Sequence, residues 1–221
     1  MVSLTALSAP AGRAVRLLWI VDVVGWVVFA TAAAGGPGDP TSTGYGYLFV
    51  VLFVVPAALV LVRARLVARQ RVTWALFGAG MLLSGAAKMY WLGALQDQQS
   101  VPYPSPADAL CLAYYGLAFA AVLAMMRAGL SHVRRSVWID ATVGGLAIAT
   151  IGAALLVPPI LSSTGGSVGA VATNLAYPLM DVLILGLLVG VFAVTDGRPG
   201  RMWVLLGAVF AGQAVVDTVY L

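Results

Sequence analysis

Three ionisable side chains lie inside long apolar runs of this sequence: Lys88, Asp181 and Asp217. Lys88 is the only lysine among twelve basic residues, and it lies within the apolar stretch Gly78–Leu95. A charge at the middle of a bilayer costs about 2.5–3.5 kcal/mol on an insertion scale, so such residues face the protein interior and find a partner. A lysine and two aspartates can form a buried ion pair, or they can bind a ligand, an ion or a proton.

Other polar side chains share helical faces with these residues, because spacings of three, four and seven residues return to one side of a helix. One set is Asn174, Tyr177 and Asp181, and the other is Gln213, Asp217 and Tyr220. Pro178 also removes a backbone hydrogen bond and frees the carbonyl one turn back. A few convergent polar groups in an apolar cleft are typical of a ligand site. The candidate ligand-binding residues are Lys88, Tyr90, Asp108, Tyr115, Asn174, Tyr177, Asp181, Gln213, Asp217 and Tyr220.

The composition indicates an integral membrane protein. The chain has 221 residues, of which 62% are hydrophobic and 9% are charged, and its mean hydropathy is +0.99. In a soluble domain about a quarter of the residues are charged. The long apolar runs, bounded by Arg or by Gly and Pro, predict helices rather than a barrel. The net charge of +4 does not indicate a nucleic-acid partner, because the arginines lie in short loops where membrane topology accounts for them.

Seven segments are long enough to span a bilayer, which requires about 20 mostly apolar residues. They are Ala14–Ala34, Gly46–Val62, Val72–Gln96, Ala107–Arg127, Val137–Leu161, Ala170–Thr195 and Met202–Leu221. The predicted fold class is therefore all-α, a polytopic membrane bundle with seven transmembrane helices in this chain. Residues 1–13 are predicted to form a short tail, and residues 14–221 a single domain.

The arginines predict the orientation of these segments. They lie before the first segment and in the loops after the second, fourth and sixth, whereas the other three loops contain no Lys or Arg. Basic loops stay in the cytoplasm, so the N-terminus is predicted to be cytoplasmic. With a rise of 1.5 Å per residue, Lys88 then lies about 12 Å, Asp181 about 15 Å and Asp217 about 8 Å from the outer surface. All three fall in the outer half of the bilayer.

Two questions stay open at this level. Lys88 is predicted to pair with Asp181 or Asp217, and that pair either fixes the packing of the helices or belongs to an outward-facing site. Asp108 follows Ser105 in the stretch PSPAD, which is typical of the start of a helix. Its carboxylate therefore either caps the fourth helix or lines the site.

The order of several motifs resembles a known family. P-x-P-S-x-A-D, an arginine-rich loop, W-I-D, Y-P-x-x-D and D-x-x-Y follow one another between Trp74 and Leu221. This order resembles the multi-pass sensory region that precedes GGDEF and EAL domains in cyclic-di-GMP enzymes of high-GC bacteria. The resemblance implies the bacterial inner membrane, an eighth helix after Leu221, a cytoplasmic signalling output and a homodimer where such an output is attached. The position of Lys88 is often acidic in that family.

The leading hypothesis is therefore a membrane sensor that binds a small molecule from the outer side and has the lipid bilayer as its other partner. The alternative is a small-solute or ion transporter. The sequence has no H-E-x-x-H or G-x-S-x-G motif, and its only histidine, His132, lies in an arginine-rich loop. We accordingly expect no catalytic residue, no metal site and no cofactor in this chain.

Overall fold

The computed structural model describes the backbone of residues 9–35, 38, 42–129, 135–163, 167–195 and 197–220. Some helical side chains lie outside this description, among them those of Asp140 and Tyr220. The described chain is all-α, as the sequence predicts. Its α-helices are α1 (Ala9–Ala33), α2 (Thr43–Leu66), α3 (Arg71–Tyr90), α4 (Pro106–Gly129), α5 (Arg135–Ser163), α6 (Val168–Val194) and α7 (Arg201–Tyr220).

Each of the seven predicted segments corresponds to one helix, but the helices are longer than the apolar runs at several ends. α2 continues through Arg63 and Arg65, because helical hydrogen bonding does not stop where the side chains become charged. A 3₁₀ turn, Ala68–Gln70, connects it to α3. α3 continues into a π-helical turn, Trp91–Leu95.

Five helical stretches are long and apolar enough to cross a membrane: Val15–Ala32, Thr43–Leu66, Ala68–Leu95, Pro106–Gly129 and Val168–Val194. These stretches make the chain an integral multi-pass membrane protein. α5 contains a shorter apolar stretch, Val143–Leu155, so the described residues do not establish the predicted count of seven spans. Large apolar side chains such as Leu17 and Leu155 are 62% and 69% exposed. Such surfaces suit contact with lipid chains.

The chain divides into two compact units, and the first comprises Met1–Val101 and Ser105–Tyr114. Small residues bring its helices together. A Cβ atom at Gly78 of α3 would lie 2.6 Å from Cγ of Leu61 of α2, so the glycine leaves room for that side chain. Aromatic rings fill the space between α1 and α2, with Trp26 at 6.0 Å from Phe49 and at 5.9 Å from Phe53 between ring centroids.

The second unit comprises Pro102–Pro104 and Tyr115–Leu221. Its α5 and α6 meet through two glycines. A Cβ atom at Gly145 would lie 3.0 Å from the carbonyl oxygen of Gly186, and one at Gly186 would lie 3.1 Å from that of Gly145. Helices in membranes approach closely where small residues face each other, because van der Waals packing replaces the hydrophobic driving force. α6 begins at a capped end, where Ser167 Oγ accepts a hydrogen bond of 3.2 Å from the amide of Ala170.

Candidate functional site

A hydrogen-bonded network forms around the carboxylate of Asp217 in the second unit. The Tyr115 hydroxyl of α4 donates to Oδ2 of Asp217, and Gln213 Nε2 donates to Oδ1 at 2.8 Å. Tyr115 is 2% exposed, whereas Gln213 and Asp217 are half-buried. The shared face predicted for Gln213 and Asp217 is confirmed by this contact. The network joins two helices that are far apart in the sequence.

Asp181 of α6 is the most deeply buried acidic residue of the candidate set. It is 3% exposed, and neither of its carboxylate oxygens has a hydrogen-bond partner among the described residues. Its carboxyl group nevertheless lies close enough to Asp217 and to the Tyr115 hydroxyl for electrostatic interaction. An acidic side chain without a partner is costly in a low-dielectric interior. This residue is therefore the part of the site that packing alone does not explain.

Two tyrosine rings lie beside the acidic residues. The rings of Tyr115 and Tyr177 are 6.0 Å apart between centroids and cross at 77°, in an edge-to-face arrangement. This geometry places the positive edge of one ring against the negative face of the other. Pro178 follows Tyr177 and is buried within α6. Helices α4, α6 and α7 thus bring Tyr115, Tyr177, Asp181, Gln213 and Asp217 into one unit.

Tyr103 is a polar partner that the sequence reasoning missed. Its hydroxyl donates a hydrogen bond to Oδ1 of Asn174, on the face of α6 that carries Tyr177 one turn and Asp181 two turns further on. Tyr103 is 45% exposed and precedes α4 in the stretch PYPSP. The sequence did contain a signal for this contact. Tyr103 carries a hydroxyl and lies in a loop that is predicted to be on the same side of the membrane as Asn174.

Asp108 acts as a capping residue of α4. Its Oδ2 accepts hydrogen bonds from the Ser105 backbone amide at 2.7 Å and from Ser105 Oγ at 2.8 Å. This is half of the reciprocal capping arrangement, in which a carboxylate in the first turn satisfies the amide of the cap residue. Of the two roles left open by the sequence, capping is the one with contacts in the structure. A role of Asp108 in lining a site stays a prediction.

Lys88 belongs to the first unit, whereas Asp181 and Asp217 belong to the second. It is half-buried in α3, and its Nζ lies 5.7 Å from the ring centroid of Phe49 in α2, a cation–π contact. The predicted pairing with Asp181 or Asp217 would join the two units, and it stays a prediction. Tyr90 ends α3 and is 38% exposed. The side chain of Tyr220 lies outside the described residues.

The side chains of the site can bind a ligand. Carboxylates, phenol hydroxyls and amides accept or donate hydrogen bonds and attract cations. Across the described residues no group of three or more His, Cys, Asp or Glu side chains is placed to hold a metal ion. Comparisons of the chain with protein-family models, with curated proteins and with solved structures gave no match. The functional conclusion therefore rests on the geometry of the site.

Proposed function

We propose that the chain is the membrane-embedded input module of a signalling protein. It binds a small ligand at the polar residues of α4, α6 and α7, and it couples binding to a cytoplasmic cyclic-di-GMP output outside this chain. The observation that carries the proposal is Asp181, a buried carboxyl group with no hydrogen-bond partner among the described residues. Ionisable residues inside membrane-spanning segments are concentrated at functional sites.

The neighbours of Asp181 support a binding role. Tyr115, Gln213 and Asp217 form an ordered network beside it, and the two tyrosine rings supply apolar surface. Apolar walls with a few convergent polar groups are typical of small-molecule sites. A ligand that binds more tightly to one arrangement of the helices shifts the population toward that arrangement. Small helix shifts of this kind would carry the signal to an output domain.

The proposed topology has seven spans in the bacterial inner membrane, with the N-terminus in the cytoplasm. The loops rich in arginine would then lie inside, and the loops without basic residues outside. We expect a cysteine at Ala68 to be protected in intact cells from a membrane-impermeant thiol reagent, and a cysteine at Ser100 to react. Both positions are exposed, and the native Cys111 is half-buried and can be replaced by alanine. Equal labelling at the two positions would contradict this topology.

The double variant Lys88→Met with Asp181→Leu tests the binding function. If Lys88 and Asp181 form the predicted pair, the double variant removes both charges together and avoids leaving an unpaired buried charge, which is the costly change. We expect a folded protein with a lost signalling response, measured as cellular cyclic-di-GMP in cells that make the full-length protein. Asp97→Asn, at an exposed loop residue, is the matched control. A folded and fully responsive double variant would remove the reason for placing a ligand site here.

A further inference from the structure

We propose that Asp181 and Asp217 together bind one monovalent cation, either a proton or an alkali-metal ion. The inference names the ligand class of the site described above, and it rests on the proposed function of that site. A proton and an alkali-metal ion each supply a single positive charge that neutralises a buried carboxyl group. They differ in their dependence on pH and on salt, so one experiment distinguishes them.

The two aspartates differ in their hydrogen-bond partners. Asp217 accepts hydrogen bonds from Tyr115 and from Gln213, so each of its carboxylate oxygens has a partner. Asp181 is 3% exposed and has no hydrogen-bond partner for either oxygen among the described residues. An isolated ionised carboxylate is expensive to bury. A positive charge at Asp181 would remove that cost.

The described part of the second unit supplies no such positive charge from its own side chains. Its described basic side chains, Arg127, Arg198 and Arg201, are exposed at the end of α4, after α6 and at the start of α7. The groups that face Asp181 are Tyr115 from α4 and Asp217 from α7. Tyr177 lies one turn away on α6 itself, and the Asp140 side chain of α5 lies outside the described residues. These neighbours contribute oxygen atoms and negative charge, which together attract a cation.

The two neighbouring carboxyl groups also indicate the charge and type of the cation. If both Asp181 and Asp217 were ionised, two negative charges would lie beside each other in the protein interior. Two neighbouring carboxylates repel each other, and a proton or another cation beside them removes that repulsion. The oxygen donors suit hard cations. The described residues do not offer the third acidic ligand that divalent sites commonly use. The geometry therefore favours a monovalent cation.

Thermal unfolding of the purified chain in detergent tests the proposal. The midpoint is measured in lithium, sodium, potassium and choline chloride at equal ionic strength, and then across a pH series in choline chloride. If an alkali-metal ion binds, its salt raises the midpoint by several degrees in a saturable way, since a ligand that binds only the folded state stabilises it. Asp181→Asn is expected to abolish this rise, and the control variant Asp97→Asn to retain it.

If the pair binds only a proton, the alkali salts behave like choline, and the midpoint falls as the pH is raised. The reason is that deprotonation leaves an uncompensated charge on the buried carboxyl group of Asp181. Asp181→Asn should remove this fall and also the infrared band of a protonated carboxyl group. Asp217→Asn serves in the same role if Asp181→Asn does not fold.

A wild-type midpoint that responds to neither the alkali salts nor pH would overturn the proposal. So would an ion dependence that appears only in Lys88→Met, because that result would identify Lys88 as the neutralising charge. These failures differ from failure of the proposed function. If the double variant loses its signalling response while the wild type shows no cation effect, a site exists but takes another ligand.

Discussion

Replacing Gly145 with leucine is expected to lower the free energy of unfolding of this protein by about 3 kcal/mol, near the upper end of the cost of overpacking a core. A Cβ atom alone would lie 3.0 Å from the carbonyl oxygen of Gly186. The obstacle is backbone of α6 rather than the end of a flexible side chain, so the helices must move apart. Their separation would expose the buried residues Ile184 and Leu188.

The adjacent glycine provides a matched control. Gly144 lies on the same helix, and a Cβ atom there would meet no atom within 4 Å. We expect Gly144→Leu to leave the stability near that of the wild type, because the added side chain points to open space. The measurement is unfolding by SDS in mixed micelles, followed by circular dichroism. Equal losses in the two variants would contradict a close contact between α5 and α6 at Gly145.

Replacing Tyr115 with phenylalanine is expected to lower the free energy of unfolding by about 1–2 kcal/mol. The substitution keeps the buried ring and its contact with Tyr177, so little apolar packing is lost. It removes the hydroxyl that donates to Asp217, which leaves that carboxylate with the hydrogen bond from Gln213 as its remaining contact in this network. The loss is moderate because hydrogen bonds inside membrane proteins contribute less than their gas-phase strength suggests.

Tyr47→Phe is the matched control for this change, since Tyr47 is 52% exposed whereas Tyr115 is 2% exposed. Its unfolding free energy should stay within error of the wild-type value in the same SDS titration. A second check is the variant Asp217→Asn in the Tyr115→Phe background. If the tyrosine acts through Asp217, the two substitutions should be non-additive. Additive losses would indicate that Tyr115 contributes through packing alone.

Local features of this protein could be predicted from the sequence because they depend on neighbours along one chain segment. The helices follow from the length of the apolar runs, which a bilayer requires to be about 20 residues. The capping contact between Ser105 and Asp108 spans three residues, and the hydrogen bond between Gln213 and Asp217 spans four. Both spacings bring side chains together on any α-helix. The predicted ends of the helices were less accurate, because α2 continues through charged residues past its apolar part.

Only the tertiary structure decided which faces of different helices meet. The contact of Tyr115 with Asp217 spans 102 positions, and the contact of Tyr103 with Asn174 spans 71. A sequence periodicity gives the angular position of a residue on its own helix and its depth along the axis. It does not give the rotation and displacement of that helix against its neighbours, which depend on close contacts such as Gly145 with Gly186. Matched depths predict Lys88 as a partner of Asp181 or Asp217, and that pairing stays a prediction. The packing of α4, α6 and α7 brings Tyr115 and Asp217 close to Asp181, which no periodicity of a single helix could indicate.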